Sequence, residues 1–286
     1  MSPVDVLEAH LDRIEALDPT MKAFQVVRRD EALAEAAVLA DRQDLDALPL
    51  AAVPVGVKDN VDVAGTPTRQ GSAGTSSAPA ERDDELVSRL RSAGCVVIGK
   101  TQMPELAIWP FTEPTAFPVT RNPWDLDRTP GGSTGGGAAA VAAGMTALAL
   151  GSDGGGSLRV PAACCGIVGL KPGAGVVPLA GGAAAHWYGM TAFGPLARTV
   201  SDTAIALMCS PAGRRIESPA RRSGRFESRS PRATRRSVLE PRAKSRRRSW
   251  KSPVSYETLD TPSARPGLHT QRAWACASAS MAGRNR

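Results

Sequence analysis

Apolar residues near the start of the chain recur at helical spacing. Val6, Leu7, Leu11, Ile14 and Leu17 share one helical face, and Ser2-Pro3 supplies an N-cap and a first-turn proline. A second helix is predicted over Asp30 to Asp41, a third over Glu85 to Ala93 and a fourth, rich in small residues, over Gly135 to Ala143. Between them lie short apolar runs: Val53 to Val57 leading into Lys58, Val96 to Ile98, Ala147 to Leu150, and Ile167 to Leu170. Runs of this length that do not alternate with polar residues suit strands buried on both faces. The alternation of strands with helices predicts an α/β domain around a covered sheet.

From about Cys209 the texture changes. Residues 209–286 carry 19 Lys and Arg against 5 Asp and Glu, leaving 16 against 23 for residues 1–208. The overall charge of +7 therefore joins an acidic body to a strongly basic tail and says nothing about the body's partners. Residues 214–248 mix Arg with Ser and Pro and show neither strand nor helix period, too few apolar side chains to offset ordering entropy, so disorder is the expectation. RNA-binding tails share this composition. An out-of-frame reading of GC-rich coding sequence produces the same abrupt switch and is the favoured explanation. The expected division is 1–208 for the folded domain and 209–286 for the tail.

The remaining composition mainly excludes. No apolar run reaches the length of a membrane span, and the acidic, helix-patterned N-terminus does not read as a signal peptide. Five scattered cysteines without paired spacing and three distant histidines predict a reduced, cytoplasmic protein with no disulfide framework, metal or cofactor.

Two motif matches are decoys. Gly94-Cys95-Val96-Val97-Ile98-Gly99-Lys100-Thr101 fits the phosphate-loop pattern letter for letter, yet its middle is a β-forming run where exposed amides are required. Gly131-Gly132-Ser133-Thr134-Gly135 fits a nucleophile elbow but follows a polar loop instead of a strand, and no spacing supports His186 as its partner, so His186 reads as a structural or pocket residue. More informative is the pairing of that glycine block with Gly151-Ser152-Asp153-Gly154-Gly155-Gly156-Ser157-Leu158-Arg159. Two Gly-rich turns, each with a serine, separated by a helix and a strand, can fold together and converge backbone N–H groups on one point. Either turn alone would be an ordinary tight turn.

Together with Val55-Gly56-Val57-Lys58-Asp59-Asn60, Gly99-Lys100-Thr101-Gln102-Met103 and Gly194-Pro195-Leu196-Ala197-Arg198-Thr199-Val200-Ser201-Asp202, these blocks resemble the amidase signature family over roughly residues 3–207. The resemblance implies a mixed sheet covered by helices, incomplete at its C-terminal side, because members of the family usually run well beyond residue 400. It implies Ser157 as nucleophile, Ser133 as the bridging serine on a cis peptide and Lys58 as base. Gly154, Gly155, Gly156 and the Ser157 amide match the oxyanion hole. Asp153 and Arg159 match braces of that loop, and Cys165 a core position. Two departures stand out. Gly154 replaces a residue that in the family often bears a side chain, which loosens the loop, and Gly173-Ala174-Gly175-Val176 replaces a Thr-x-Gly-Arg pattern.

The chemistry is coherent. A serine hydroxyl needs a base, and a lysine serves only when desolvation or nearby dipoles lower its pKa. Lys58 follows an apolar strand and is placed for burial. The implied activity is hydrolysis of a small-molecule carboxamide, with little or no turnover expected because the pocket walls are missing. A glutamine amidohydrolase subunit of a tRNA-dependent amidotransferase and a non-catalytic protein with a nucleic-acid-binding tail are the alternatives. No membrane partner is expected; oligomeric state and the amide itself are not readable. Limited proteolysis followed by mass spectrometry is expected to trim the chain to a resistant fragment ending near Met208. Uniform resistance through Arg286 would contradict the domain division.

Overall fold

Ser2 caps α1 (Pro3–Met21): its hydroxyl accepts from the Asp5 amide while the Asp5 carboxylate accepts from the Ser2 amide, a reciprocal capping box. The computed structural model of the chain describes residues 2–178 and 183–209. Helix α1 continues through Pro19 to the buried Met21, past the last apolar position of its sequence pattern. Strand β1 (Phe24–Val27) and helix α2 (Arg29–Ala40) follow, then β2 (Pro54–Lys58), α3 (Glu85–Ser92) and β3 (Val96–Thr101). Next come α4 (Gly135–Ala142), β4 (Leu148–Asp153), α5 (Arg159–Cys165), β5 (Val168–Gly169), β6 (Ala192–Ala197) and α6 (Val200–Met208). The basic segment beyond residue 209 lies outside the described residues.

The six strands form one mixed sheet in the order β1-β3-β2-β4-β6-β5. Its centre, β3-β2-β4, is parallel, while β1 and the β6-β5 pair are antiparallel to their neighbours. Both faces of that centre are covered. Val55, Val57, Val97, Leu148, Leu150 and Phe193 pack with Leu86, Val87 and Leu90 of α3 and Ala206 of α6. On the opposite face Val96 and Ile98 meet Leu7, Leu11 and Ile14 of α1 and Ala32 and Ala36 of α2, while Ala149 and Leu196 meet α4 and α5. Parallel strands covered on both sides need continuous apolar runs, which is the pattern the sequence carries.

Strands β1 and β6 and helices α5 and α6 have no counterpart among the sequence expectations. β6 contains a Gly-Pro pair and α5 has a proline in its first turn, so neither advertises its type. The expected runs proved short at strand ends: β3 extends to Thr101 and β4 to Asp153, because polar residues at the C-terminal ends stay in the ladder and remain buried.

Gly94–Thr101 is a turn and a buried strand, as the decoy reading requires. Lys100 is fully buried, with its ammonium 3.1 Å from the equally buried Asp59; it donates to Thr68 Oγ1 at 2.9 Å and to the Pro67 carbonyl at 3.3 Å. Burial pushes the Lys100 pKa down and the Asp59 pKa up, and the attraction between them opposes both shifts. The pair fixes the loop that follows β2 against the neighbouring strand.

Gly136, in the first turn of α4, makes the closest approach between helix and sheet. A Cβ there would lie 2.4 Å from the Ala23 carbonyl oxygen and 2.5 Å from the Gln102 amide nitrogen and carbonyl oxygen. All of these are backbone atoms, and two of them share the Gln102–Ala23 hydrogen bond. Gly136→Ala is expected to destabilise the fold by about 2 kcal/mol or more in urea denaturation, since the clash cannot be relieved by a side-chain rotation. Gly74→Ala, where a Cβ would meet only the Ser72 hydroxyl at 3.5 Å, is expected to stay within about 0.5 kcal/mol.

Candidate active site

Strands β2 and β4 run side by side and parallel, with Val57 opposite Leu150, so their chains emerge at the same edge of the sheet. Crevices beyond the C-terminal ends of parallel strands are where α/β sheets hold ligands. Lys58 is the last residue of β2, Ser152 and Asp153 the last of β4, and Ser133 lies on the loop entering α4. These positions, far apart in sequence, meet in a buried cluster.

The Lys58 side chain is fully buried, with Nζ 2.8 Å from Ser133 Oγ and 2.9 Å from Ser152 Oγ. Asn60 Nδ2 also donates to Ser152 Oγ at 3.1 Å. Burial lowers the Lys58 pKa to about 7, with the negative charge of Asp153 opposing the shift. An amine at that value is half neutral at neutral pH. In its neutral form it has two N–H donors and one lone pair, so one donor can go to Ser152 while the lone pair faces Ser133.

The peptide joining Gly132 to Ser133 is cis. Thr134 ties the two glycine turns together: its amide donates to the Ser157 carbonyl at 3.2 Å, and its hydroxyl donates to the Ser152 carbonyl at 3.2 Å. The turn that follows β4 is shaped by Asp153, whose buried carboxylate accepts from the amides of Gly156 (2.7 Å) and Leu158 (3.2 Å) and from Arg159 Nε (2.9 Å) and Nη2 (3.0 Å). Burial alone would raise the Asp153 pKa; the Arg159 guanidinium and the amide donors overcome it and hold the carboxyl below its usual value.

One residue of the expected oxyanion set is differently employed. Gly156 is buried at φ +129°, and its N–H points at Asp153 instead of into the crevice. The amides of Gly154, Gly155 and Ser157 have no acceptor among the described residues. Ser157 is half-buried, and its hydroxyl makes no hydrogen bond among the described residues, so Lys58 and Ser133 are joined directly while the Ser157 carbonyl accepts from the amide of Thr134, the neighbour of Ser133.

The remaining candidates fall into place. His186 Nδ1 lies 2.8 Å from Thr191 Oγ1, and no serine shares it. Its pKa is lowered by burial and by the positive charge of Lys58. Cys165 is fully buried, its thiol pushed up to about 12, and it serves as core packing. Among the described residues no group of three or more His, Cys, Asp or Glu could hold a metal, and no helix is long and apolar enough to cross a membrane.

Ser152, Asn60 and Trp187 were not anticipated. Ser152 stands in the quoted glycine string, but only the pairing of β4 with β2 brings it to Lys58. Trp187 comes from a stretch without period, and its indole covers Gly154, so the loop expected to be loose carries an aromatic ring where a side chain would otherwise be.

The sequence profile of the Amidase family matches residues 5–235, beyond the point where the sequence blocks end. AmiB2 of Mycobacterium tuberculosis, named as an amidase, is 51% identical over 227 residues, covering 77% of this chain and 49% of AmiB2. A glutamyl-tRNA(Gln) amidotransferase subunit from Synechococcus sp. is 45% identical over 208 residues, covering 72% of this chain and 43% of that protein. The native peptide amidase of Stenotrophomonas maltophilia superimposes with a TM-score of 0.68 at 35% identity, over 74% of this chain and 45% of the amidase. The chain thus spans about half the length of the relatives it matches. A lysine buried at the end of β2, serines on the two glycine turns and a family match over most of the chain lead to one conclusion: this chain belongs to the Amidase family.

Proposed function

We propose that the chain is an amidase-type serine hydrolase that cleaves a carboxamide C–N bond through Ser157, Ser133 and Lys58. The observation that carries the reading is the Lys58 amine, buried at the end of β2 with a pKa of about 7 and 2.8 Å from Ser133 Oγ. A buried lysine with no role would cost stability for nothing, whereas a neutral one at working pH is a base.

In the first half-reaction the Ser157 hydroxyl oxygen attacks the amide carbon. Its proton passes to Ser133 Oγ, and the Ser133 proton passes to Lys58 Nζ. The Ser157–carbon bond forms, and the carbonyl oxygen takes the electron pair, facing the amides of Gly154, Gly155 and Ser157, which have no acceptor among the described residues. Collapse of the adduct breaks the C–N bond, and Lys58 returns its proton through Ser133 to the departing amine. Water then attacks the acyl-enzyme by the same relay and releases the carboxylic acid. The link from Ser157 to Ser133 is the one not made in the resting geometry; links of this kind commonly close when substrate seats. Ser152 acts on the amine by accepting from one of its donors, which orients the lone pair toward Ser133, and Asn60 holds Ser152 by donating to the same oxygen. Asp153 and Arg159 hold the turn that carries Ser157.

The higher identity to AmiB2 than to the amidotransferase protein, 51% against 45%, favours an amidase over a glutamine amidohydrolase subunit of an amidotransferase. The described residues carry the acylation step, so the test reads acylation and not turnover. A fluorophosphonate should label the chain with loss of fluoride, at Ser157 by peptide mapping, and Ser157→Ala should abolish labelling. Labelling confined to another serine would overturn the assignment.

Because the base must be neutral, the labelling rate should rise with pH through about 7 and level off above about 8, roughly tenfold faster at pH 8.5 than at pH 6. Lys58→Met should slow labelling by at least about 100-fold and remove the pH dependence. A lysine whose folded pKa lies below its unfolded value also penalises the folded state when charged. Stability should accordingly rise from pH 7 toward 10.5, and that part of the slope should vanish in Lys58→Met when denaturation midpoints are compared.

A further inference from the structure

The turn that bears Ser157 is not bare. A Cβ on Gly154 would lie 2.8 Å from Cγ of Trp187, and a Cβ on Gly155 would lie 3.6 Å from its Cζ3. The indole is thus laid along the turn, its five-membered ring over Gly154 and its six-membered ring toward Gly155. Contact this close with backbone requires glycine at 154, since any side chain there would displace the ring.

Trp187 is held there by its surroundings. It and Tyr188 have φ of 51° and 54°, a left-handed pair of bulky residues that the chain adopts only under constraint. The Met190 amide donates to the Trp187 carbonyl at 3.0 Å, and His186 and Thr191 close the segment across its base at 2.8 Å. Lys171 Nζ donates both to the Met190 carbonyl (2.5 Å) and to the Asp153 carbonyl (2.6 Å), fastening the segment to the end of β4. His186 lies close enough to Lys58 to feel its charge. The segment is therefore fastened over the turn that bears Ser157.

One side of the indole meets the glycines, while Trp187 as a residue keeps 39% of its surface exposed. On the other glycine turn, Gly132 is in backbone contact with Trp109 and Phe111, 2.7 Å from the Trp109 carbonyl oxygen and 2.6 Å from the Phe111 amide when a Cβ is placed on it. Those two half-buried rings stack on each other at 5.6 Å. The hydrogen bond from Thr134 to Ser157 joins the two turns that these aromatic residues touch.

We propose that Trp187 is a specificity-determining residue of this site: its indole, seated on Gly154 and Gly155, is a wall that selects amides whose carbonyl carries a flat aromatic group. The inference rests on the amidase reading for the place of the carbonyl. A planar ring can stack on the exposed side of the indole or meet its edge, which an alkyl ring of equal carbon count cannot do, and such aromatic pairs are worth a preference of about three- to tenfold beyond buried area.

The experiment uses the full chain with Ser157→Ala to prevent turnover, titrated with benzamide and with cyclohexanecarboxamide and read by isothermal calorimetry or saturation-transfer NMR. Benzamide should bind about three- to tenfold more tightly. Trp187→Ala should bring the ratio to about one, and Trp187→Phe, which keeps a flat ring with less area, should retain part of it and guards against a folding artefact. An undiminished preference in Trp187→Ala, no preference in the parent, or no binding of either amide would each overturn the inference. Fluorophosphonate labelling of the unsubstituted chain separates the two readings. Labelling at Ser157 without an aromatic preference sinks only the role of Trp187, and a Trp187-dependent preference without labelling sinks only the hydrolase.

Discussion

The removal of water from one lysine is the constraint around which the rest is arranged. An ammonium in bulk water has no reason to surrender its proton near neutrality, and only desolvation brings Lys58 to about 7. Everything that keeps water out contributes: the parallel neighbours β3 and β4, the glycine turn that enters α4 tightly enough to fill the space above the strand ends, and the serines that satisfy the amine without charging it. A carboxylate as a direct partner would have stabilised the ammonium and undone the effect. The carboxylate that acts on it, Asp153, is instead drawn to the Arg159 guanidinium and to three backbone amides, so its influence on Lys58 is an opposing pull and not a bond.

A second buried lysine shows how much the partner matters. Lys100 is as deeply enclosed as Lys58, one strand away, yet it faces Asp59 and two oxygens of the following loop. The same side chain at comparable burial is a structural ion in one place and a candidate base in the other. Burial by itself does not assign a role; what the ammonium touches does.

Much of this was legible from the order of residues. The covered sheet followed from apolar runs that do not alternate, and the candidates Lys58, Ser133 and Ser157 were picked from glycine turns and a strand-end lysine matched to a family pattern. The dismissal of the phosphate-loop match followed from four β-forming residues where amides had to be bare. What could not be read depends on tertiary pairing or on strain. Ser152 reaches Lys58 only because β4 lies beside β2, a neighbourhood no local pattern encodes. The N–H of Gly156 turns to Asp153 because that carboxylate is already buried beneath the turn, which spacing alone does not disclose. Trp187 stands in a left-handed pair of residues whose conformation opposes their own propensity, so local sequence argues against its placement. Strand β6 was hidden by its Gly-Pro pair, which reads as punctuation yet lies in an antiparallel ladder.

The separation in sequence of the groups around Lys58 has a further consequence. Its amine meets serines 75 and 94 residues away, and the contact with Ser152 exists only while β2 and β4 are zipped together. Non-local parallel pairing closes late in folding, because a long loop must lose its freedom before any contact compensates. The low-pKa amine is accordingly a property of the finished chain and of no fragment assembled earlier. The dependence also runs in reverse. A transient parting of those two strands would admit water and restore the ammonium before the fold as a whole is lost. In this protein the stiffness of one strand pair and the lowered pKa of the Lys58 amine are a single quantity.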